Sequence, residues 1–301
     1  MNTVIDLSLL PAPAVVEVLD YETLYAARKA GLVALFPADQ QAEIAATLEL
    51  ESEPLAILLQ ENTLREMTLR QRINDAARGL MLAYAIDTDL DHLAALFNVQ
   101  RLTITPADAE NGVAAVMESD ADLRRRVQLA PEGFSVAGPA GAYAFHALAA
   151  DSRVRHVAVA SPAPGEVLVT ILARDGNGTA PDDLIAAVSA ALGDESVRPL
   201  TDAVTVQSAT PVAFNVTATI TVADGPDVAV IRAAAVAALE NLLTQSKRIG
   251  QSVALSAIYA ALHQPGVVSV ALSQPQGDVA VNPTQAAWCS GYMVNMEKTT
   301  I

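Results

Sequence analysis

Residues 154–173 read VRHVAVASPAPGEVLVTILA. Two valine-rich runs alternate apolar with smaller or polar residues, and between them lies SPAPG, with Pro162, Pro164 and Gly165. Period-two apolar patterning on both sides of a short Pro/Gly connection predicts a β-hairpin. The stretch follows a short alanine-rich helical segment, AYAFHALAA (142–150), and precedes another, DDLIAAVSAAL (182–192). The pattern returns in VVSVALSQPQGDVAV (267–281). There Val267, Val270 and Leu272 align with Val154, Val157 and Val159, and Pro275 aligns with Pro162. The expectation is an α+β chain with a helical N-terminal half and two related α+β lobes, each a helix–β-hairpin unit.

Upstream of these lobes the periodicity is helical. Asp20 is placed to cap YETLYAARKAGLVALF (21–36), and Pro37 ends that helix. QQAEIAATLEL (40–50) follows. Ser52 reads as the N-cap of the strongest helix, with Pro54 in its first turn. Along that helix Leu55, Leu59, Asn62, Glu66, Leu69, Ile73, Ala76, Leu80 and Ala83 recur at alternating spacings of four and three, a heptad seam. The residues alone leave two readings open: a core helix with a wet patch, or a bundle helix whose partners include other chains, with Asn62 helping to set register. The division expected from composition is an extended arm (1–20), a bundle-forming helical region (21–104), a first lobe (105–209), a second lobe (210–281) and a C-terminal tail (282–301). Pro11 and Pro13 exclude helix from the arm, and Val15, Val16 and Val18 favour strand there. ADGPD (223–227) reads as a turn into the long helix DVAVIRAAAVAALENLLTQ.

Hydrophobic residues make up 52% of the 301 and charged residues 17%, enough to bury a large core. The formal net charge of −16 repels a phosphate backbone and argues against nucleic-acid binding. Arg124, Arg125 and Arg126 form the one dense basic run, read as a solvated or partner-facing helix side. A single cysteine, Cys289, excludes an internal disulfide. The N-terminal twenty residues carry Asp6 and no basic region, so they do not read as a signal peptide. No uninterrupted apolar run reaches spanning length, and insertion into a membrane is not expected.

No catalytic, cofactor or metal motif is complete. Asp87, Asp89 and Asp91 begin like a calcium loop, but His92 holds the glycine position and Asn98 the distal glutamate position. RDGNGTAPDD (174–183) lacks the lysine of a phosphate loop, and it reads as a turn with positive φ at its glycines. Ser252 lies in Gly250-Gln-Ser252, but a helix precedes it where a nucleophile elbow needs a strand; an N-cap is the better reading. His92, His146, His156 and His263 have no metal-ligand spacing. Cys289 beside Trp288 reads as a small buried hydrophobe. The chain is expected to be no enzyme and to need no cofactor. The alternatives are a hydrolase with a site near Ser252 and His146, and a freestanding oligomeric adaptor.

The stretch SVRPLTDAVTVQSA (196–209) completes a series of segments that is collinear over nearly all of the chain. PAPAVVEVLDYETL, LRQRINDAARGLMLAYAIDTDLDHLAALFNVQR, DADLRRRV, AGPAGAYAFHALA, VRHVAVASPAPGEVLVTI, VAFNVTATI and GQSVALSAIYAAL stand in the same order. Together they resemble the baseplate J-like family of contractile phage tails and R-type pyocins. The N-terminal third matches more loosely, and the last twenty residues carry little of the likeness. The resemblance implies a structural wedge subunit, made in the bacterial cytoplasm and assembled into a six-fold baseplate ring that rearranges on contraction. It implies partners as well: other copies through the C-terminal lobes, a second wedge protein through the N-terminal helices, and hub or spike, sheath-initiator and fibre-attachment components. Under it, Leu55, Leu59, Asn62, Glu66, Leu69, Ile73 and Leu80 become a partner interface. Arg198-Pro199-Leu200 becomes a rigid elbow, with Asp202 satisfying nearby backbone donors.

Overall fold

Asp20 starts the first helix: its carboxylate accepts from Thr23 N at 2.8 Å and from Thr23 Oγ1 at 2.6 Å. A computed structural model describes residues 5, 7–11, 13–195, 197–223 and 227–299. The chain divides into two compact units, residues 4–100 and residues 101–301.

The first unit is helical. It holds α1 (Tyr21–Ala34), α2 (Gln41–Thr47), α3 (Pro54–Gly79) and α4 (Asp87–Ala95). Pro54 opens α3, but the capping residue is Glu53, whose side chain makes no capping bond, not Ser52. The face of α3 turned into the unit carries Ala56, Thr63 and Asn74, all buried. Asn74 binds the backbone of the preceding segment as a neighbouring strand would. Its Oδ1 accepts from Glu17 N at 3.0 Å and its Nδ2 donates to Glu17 O at 2.9 Å. Arg70 also donates to the Glu17 carboxylate, at 2.8 Å. The described part of the expected arm is therefore tied to α3 at its end. It contains a 3-10 turn, Leu7–Leu9, and no strand. The strand that Val15, Val16 and Val18 favour is not formed, and one side-chain amide ties the segment to α3 through its main chain.

The second unit begins with a two-stranded ribbon, β1 (Thr103–Thr105) and β2 (Val116–Met117), and α5 (Asp120–Leu129), capped by Ser119. The arginine triplet is not a solvated side. At about 100° per residue three consecutive positions span more than half of a helix surface. Arg126 is buried and forms a two-point ion pair with Glu118, Nε to Oε1 at 2.8 Å and Nη2 to Oε2 at 2.6 Å. Arg125 turns to His156.

Next come α6 (Ala140–Ala150), β3 (Val154–Ala160), β4 (Glu166–Ala173), α7 (Asp182–Leu192) and β5 (Ala203–Ser208). β3 and β4 pair antiparallel, as the opening hairpin pattern requires, and β5 joins β4 in parallel. Leu184, Val188 and Leu192 of α7 are buried, as are Val169 and Ile171 of β4. The elbow before β5 is built from side chains. Asp202 accepts a hydrogen bond from the buried Tyr143 hydroxyl at 2.7 Å, instead of capping backbone donors. Arg198 donates to Gly193 O and Asp202 O. Gly138, at φ 75°, approaches so closely that an added Cβ would stand 2.8 Å from Asp202 Oδ2 and 2.9 Å from Pro199. Ser196, at the head of that stretch, lies outside the described residues.

The second lobe consists of β6 (Thr210–Ala223), α8 (Val228–Ser246), α9 (Leu255–Leu262), β7 (Val267–Gln274) and β8 (Gln285–Thr299). β6 is central, antiparallel to β7 and parallel to β8. Val216, Ala218, Ile220 and Val222 alternate along β6 and pack with Ile231, Ala235 and Leu239 of α8 and Ile258 and Leu262 of α9. Two expectations are corrected here. The second hairpin does not form: β7 pairs with β6, while Asp278–Val281 is held by α9. Asp278 Oδ1 accepts from Leu255 N at 2.8 Å, and Val279 bridges Val253. The C-terminal stretch is not a tail but, over Gln285–Thr299, the strand β8. Both sheets share one plan, a central strand with an antiparallel neighbour on one side and a parallel one on the other, reached by different chain paths. Of the ADGPD turn, residues 224–226 lie outside the described residues, and Asp227 caps α8 through Ala229 N. By length and composition α8 is apolar enough to cross a bilayer, although Arg232 and Glu240 interrupt its apolar run; in this fold one side of it, Ile231, Ala235 and Leu239, packs on the sheet.

The Glu118–Arg126 pair is 1% and 5% exposed at its side chains, so removing one partner strands a buried charge. Glu118→Ala is expected to lower unfolding free energy by about 3–5 kcal/mol, read as a shift of the urea midpoint at unchanged slope.

Candidate functional site

The residues predicted to bind a partner lie on α3. Leu55 is 39% exposed, Leu69 58%, Ile73 61% and Leu80, just past the helix end, 78%. On a helical projection these four fall within about 40° of one another, and the inward line of Ala56, Thr63 and Asn74 lies about 100° away. Leu58, also exposed, borders the same stripe. The remaining three predicted residues, Leu59, Asn62 and Glu66, are half-buried. Glu66 accepts from Arg28 at 2.6 Å and from Arg70 at 2.9 Å, and these two arginines hold its carboxyl below the usual carboxylate range. Asn62 donates to Leu58 O of its own helix, which employs its amide locally. Leu59 borders the inward face. α3 thus carries an inward line used by its own unit and an open, mainly apolar stripe interrupted by Asn62; Ile57 and Leu64 are exposed on a further side.

The residues considered for catalysis are not brought together. Ser252 is not a helix cap: α9 starts at Leu255, and Ser252 Oγ accepts from Val281 N at 3.2 Å. His146 stands beside Gly133 O at 3.2 Å in the first lobe. Cys289 donates to Gly291 O at 3.2 Å, and burial pushes its thiol pKa up, so it remains a protonated packing residue of the second lobe. Gly176 and Gly178 have φ of 57° and 92°, as the turn reading of 174–183 requires. Among the described residues no group of three or more His, Cys, Asp or Glu could hold a metal ion.

Sequence reasoning missed the junction between the lobes. Arg155 of β3 donates to Thr244 O at 2.7 Å, satisfying a carbonyl at the C-terminus of α8. Lys247, just past α8, donates to Arg174 O at 3.1 Å and Gly176 O at 3.0 Å in the first lobe. Leu172, Ala209, Ile249 and Ala286 close the seam as a small apolar cluster. Arg125 donates to His156 Nε2 at 2.8 Å, so that nitrogen is the acceptor of a neutral ring. Burial first, then Arg125, depresses the His156 pKa to about 3. The bulge at Val154/His156, which aims this ring, was not legible in VRHVAVA.

Three consecutive family models match this architecture. They are described as the Baseplate J-like N-terminal domain, over residues 51–108, the Baseplate J-like central domain, over 135–208, and the Baseplate J-like protein C-terminal domain, over 214–291. The chain is also 52% identical over 293 residues to "Baseplate protein J" of Escherichia phage P2, covering 97% of each. The chain belongs to the baseplate J-like family. The central model spans α6 to β5, and the C-terminal one spans β6 through the first part of β8, so the family likeness extends into the stretch first read as a tail. The N-terminal model spans all of α3 and its open stripe.

For His156 the folded pKa lies below the unfolded value of about 6.5, so the unfolded chain binds the extra proton between about pH 6.5 and pH 3. Its contribution to stability is complete above that window and is lost as pH falls through it. Wild type is expected to lose about 2 kcal/mol between pH 7 and pH 5 through this residue. His156→Gln should flatten that part of the pH profile in paired urea titrations.

Proposed function

We propose that this chain is a structural wedge subunit of a contractile-tail baseplate, in a phage or a headless tail-like particle. The identity to a baseplate protein across almost the full length of both chains carries this reading. It is supported by an apolar stripe on α3 that its own unit leaves open. The stripe packs against helices of a second wedge protein, and the C-terminal lobes join neighbouring copies into a ring around the hub and spike. Contraction exchanges one set of moderate interfaces for another. Six-fold copies, sheath-initiator and fibre-attachment contacts belong to the same reading, as do synthesis in the bacterial cytoplasm and incorporation into the particle. Nothing in this role calls on a catalytic group, and Ser252 and His146 each have a structural hydrogen bond.

Leu69 and Ile73 are exposed within their unit, so charge there is compatible with folding. Leu69→Asp combined with Ile73→Asp is expected to keep the far-UV spectrum and urea midpoint of the isolated chain. Assembly of tails in a complementation assay should be lost. Normal tails from the double variant would remove α3 from the interface.

A further inference from the structure

Positive charge collects where the two C-terminal lobes meet, in a chain of net charge −16. Arg125, Arg155, Arg174, Lys247 and Arg248 converge there from α5, β3, the end of β4 and the end of α8. Two carboxylates, Asp122 and Asp175, act on the same group of cations. Asp122 is engaged by Arg174 at 2.5 Å. Among the described residues, Arg125, Arg155, Lys247 and Arg248 form no ion pair with a carboxylate. His156, neutral between them, adds no compensation. Burial, reinforced by the neighbouring cations and opposed in part by Asp122 and Asp175, holds Arg125, Arg155 and Lys247 below their ordinary pKa ranges.

Beside this cluster lies an open cleft of about 460 Å³, lined by Arg155, Lys247, Thr244, Trp288, Ser290 and Tyr292 among others. Arg155 also borders a second cavity of about 10 Å³, the space of one water, shared with Arg125, Arg126 and Arg174 and with the carboxylates Glu118 and Asp122 that compensate them there. We propose that the interlobe cleft binds an oxyanion, a carboxylate or phosphate group, held by Arg155 and Lys247 against the Thr244 hydroxyl. Arg248 and Arg125 raise the local potential. A bound anion ties the lobes more firmly, because both lining cations already span the junction. A free cellular anion and an acidic side chain of a neighbouring subunit present the same chemistry.

The test is thermal unfolding of the full chain in sodium phosphate and in sodium glutarate, each against sodium chloride at matched ionic strength. A saturable rise in Tm of about 2–4 °C at several times the dissociation constant is expected for an oxyanion and not for chloride. Response to phosphate alone identifies a free phosphate-type ion; response to glutarate identifies a carboxylate, the group an acidic side chain carries. Lys247→Gln should lose the response, and so should Arg248→Glu. Arg248 is exposed and its guanidinium makes no hydrogen bond among the described residues, so that variant leaves the fold intact. Equal rises in chloride and oxyanion, no rise in either oxyanion, or a rise retained in Arg248→Glu would each overturn the site.

Discussion

Two cations exchanged for carbonyls hold the C-terminal unit together. Arg155 leaves the first sheet to satisfy the end of α8, and Lys247 leaves α8 to satisfy two carbonyls that follow β4. Helix ends and strand ends both present carbonyls with no partner in their own element, and a side-chain donor from the other lobe supplies one. Each lobe therefore supplies what the other lacks. The apolar contact at the seam consists of a few small and medium residues, too little to define an orientation by itself. Hydrogen bonds aimed at particular carbonyls have direction, which apolar burial has not. That exchange acts together with the backbone bonds at the seam, where Ala209 N donates to Ile171 O and Thr210 N to Thr284 O, to set the relative placement of β3–β5 and β6–β8.

Much of this architecture is legible in the sequence where the determinants are local. Asp20 before an apolar-periodic run, valine alternation around SPAPG, and the glycines of RDGNG each act within a few residues, and each structure forms as read. The errors arise where a distant partner decides. VVSVALS has the pattern of a hairpin strand, and it is a strand, but β6 offers fourteen residues of pairing edge and takes it. DVAV is diverted because Asp278 caps α9. MVNMEK has weak alternation and no turn chemistry to announce it, yet it runs parallel to β6 in β8. Parallel pairing leaves no hairpin signature, because the chain between its partners is long.

The candidate interface was readable in part for a related reason. A heptad seam reports that a helix has an apolar side, but not how many neighbours share it. On α3 the seam divides. Glu66 is drawn into the helix's own unit and Leu59 borders its inward face, while Leu55, Leu69, Ile73 and Leu80 remain open with the half-buried Asn62 among them. Glu66 shows the division most clearly, since read as a polar break in a bundle it instead gathers Arg28 and Arg70 around one carboxylate. The lobe junction was unreadable because Arg125, Arg155 and Lys247 lie far apart in sequence and each looks like an ordinary surface cation.

Buried polar pairs explain why so aliphatic a chain keeps one arrangement. Aromatics are 4% of the residues, so the cores are built from Ala, Val, Leu and Ile, side chains that repack with modest loss. A core of that kind tolerates small rotations of a helix on a sheet. A buried ion pair does not, because any displacement leaves a charge without its partner in a low-dielectric setting. Glu118–Arg126 pins α5 beside the start of the unit, and Tyr143–Asp202 pins α6 to the elbow before β5. Asn74 pins the segment before α1 to α3. Each pair adds less net stability than an apolar contact of equal size would, and each excludes alternative registers that apolar contacts would permit. Under the proposed wedge role, in which surfaces must be held at defined angles to several neighbours, that exclusion matters more than the stability forgone.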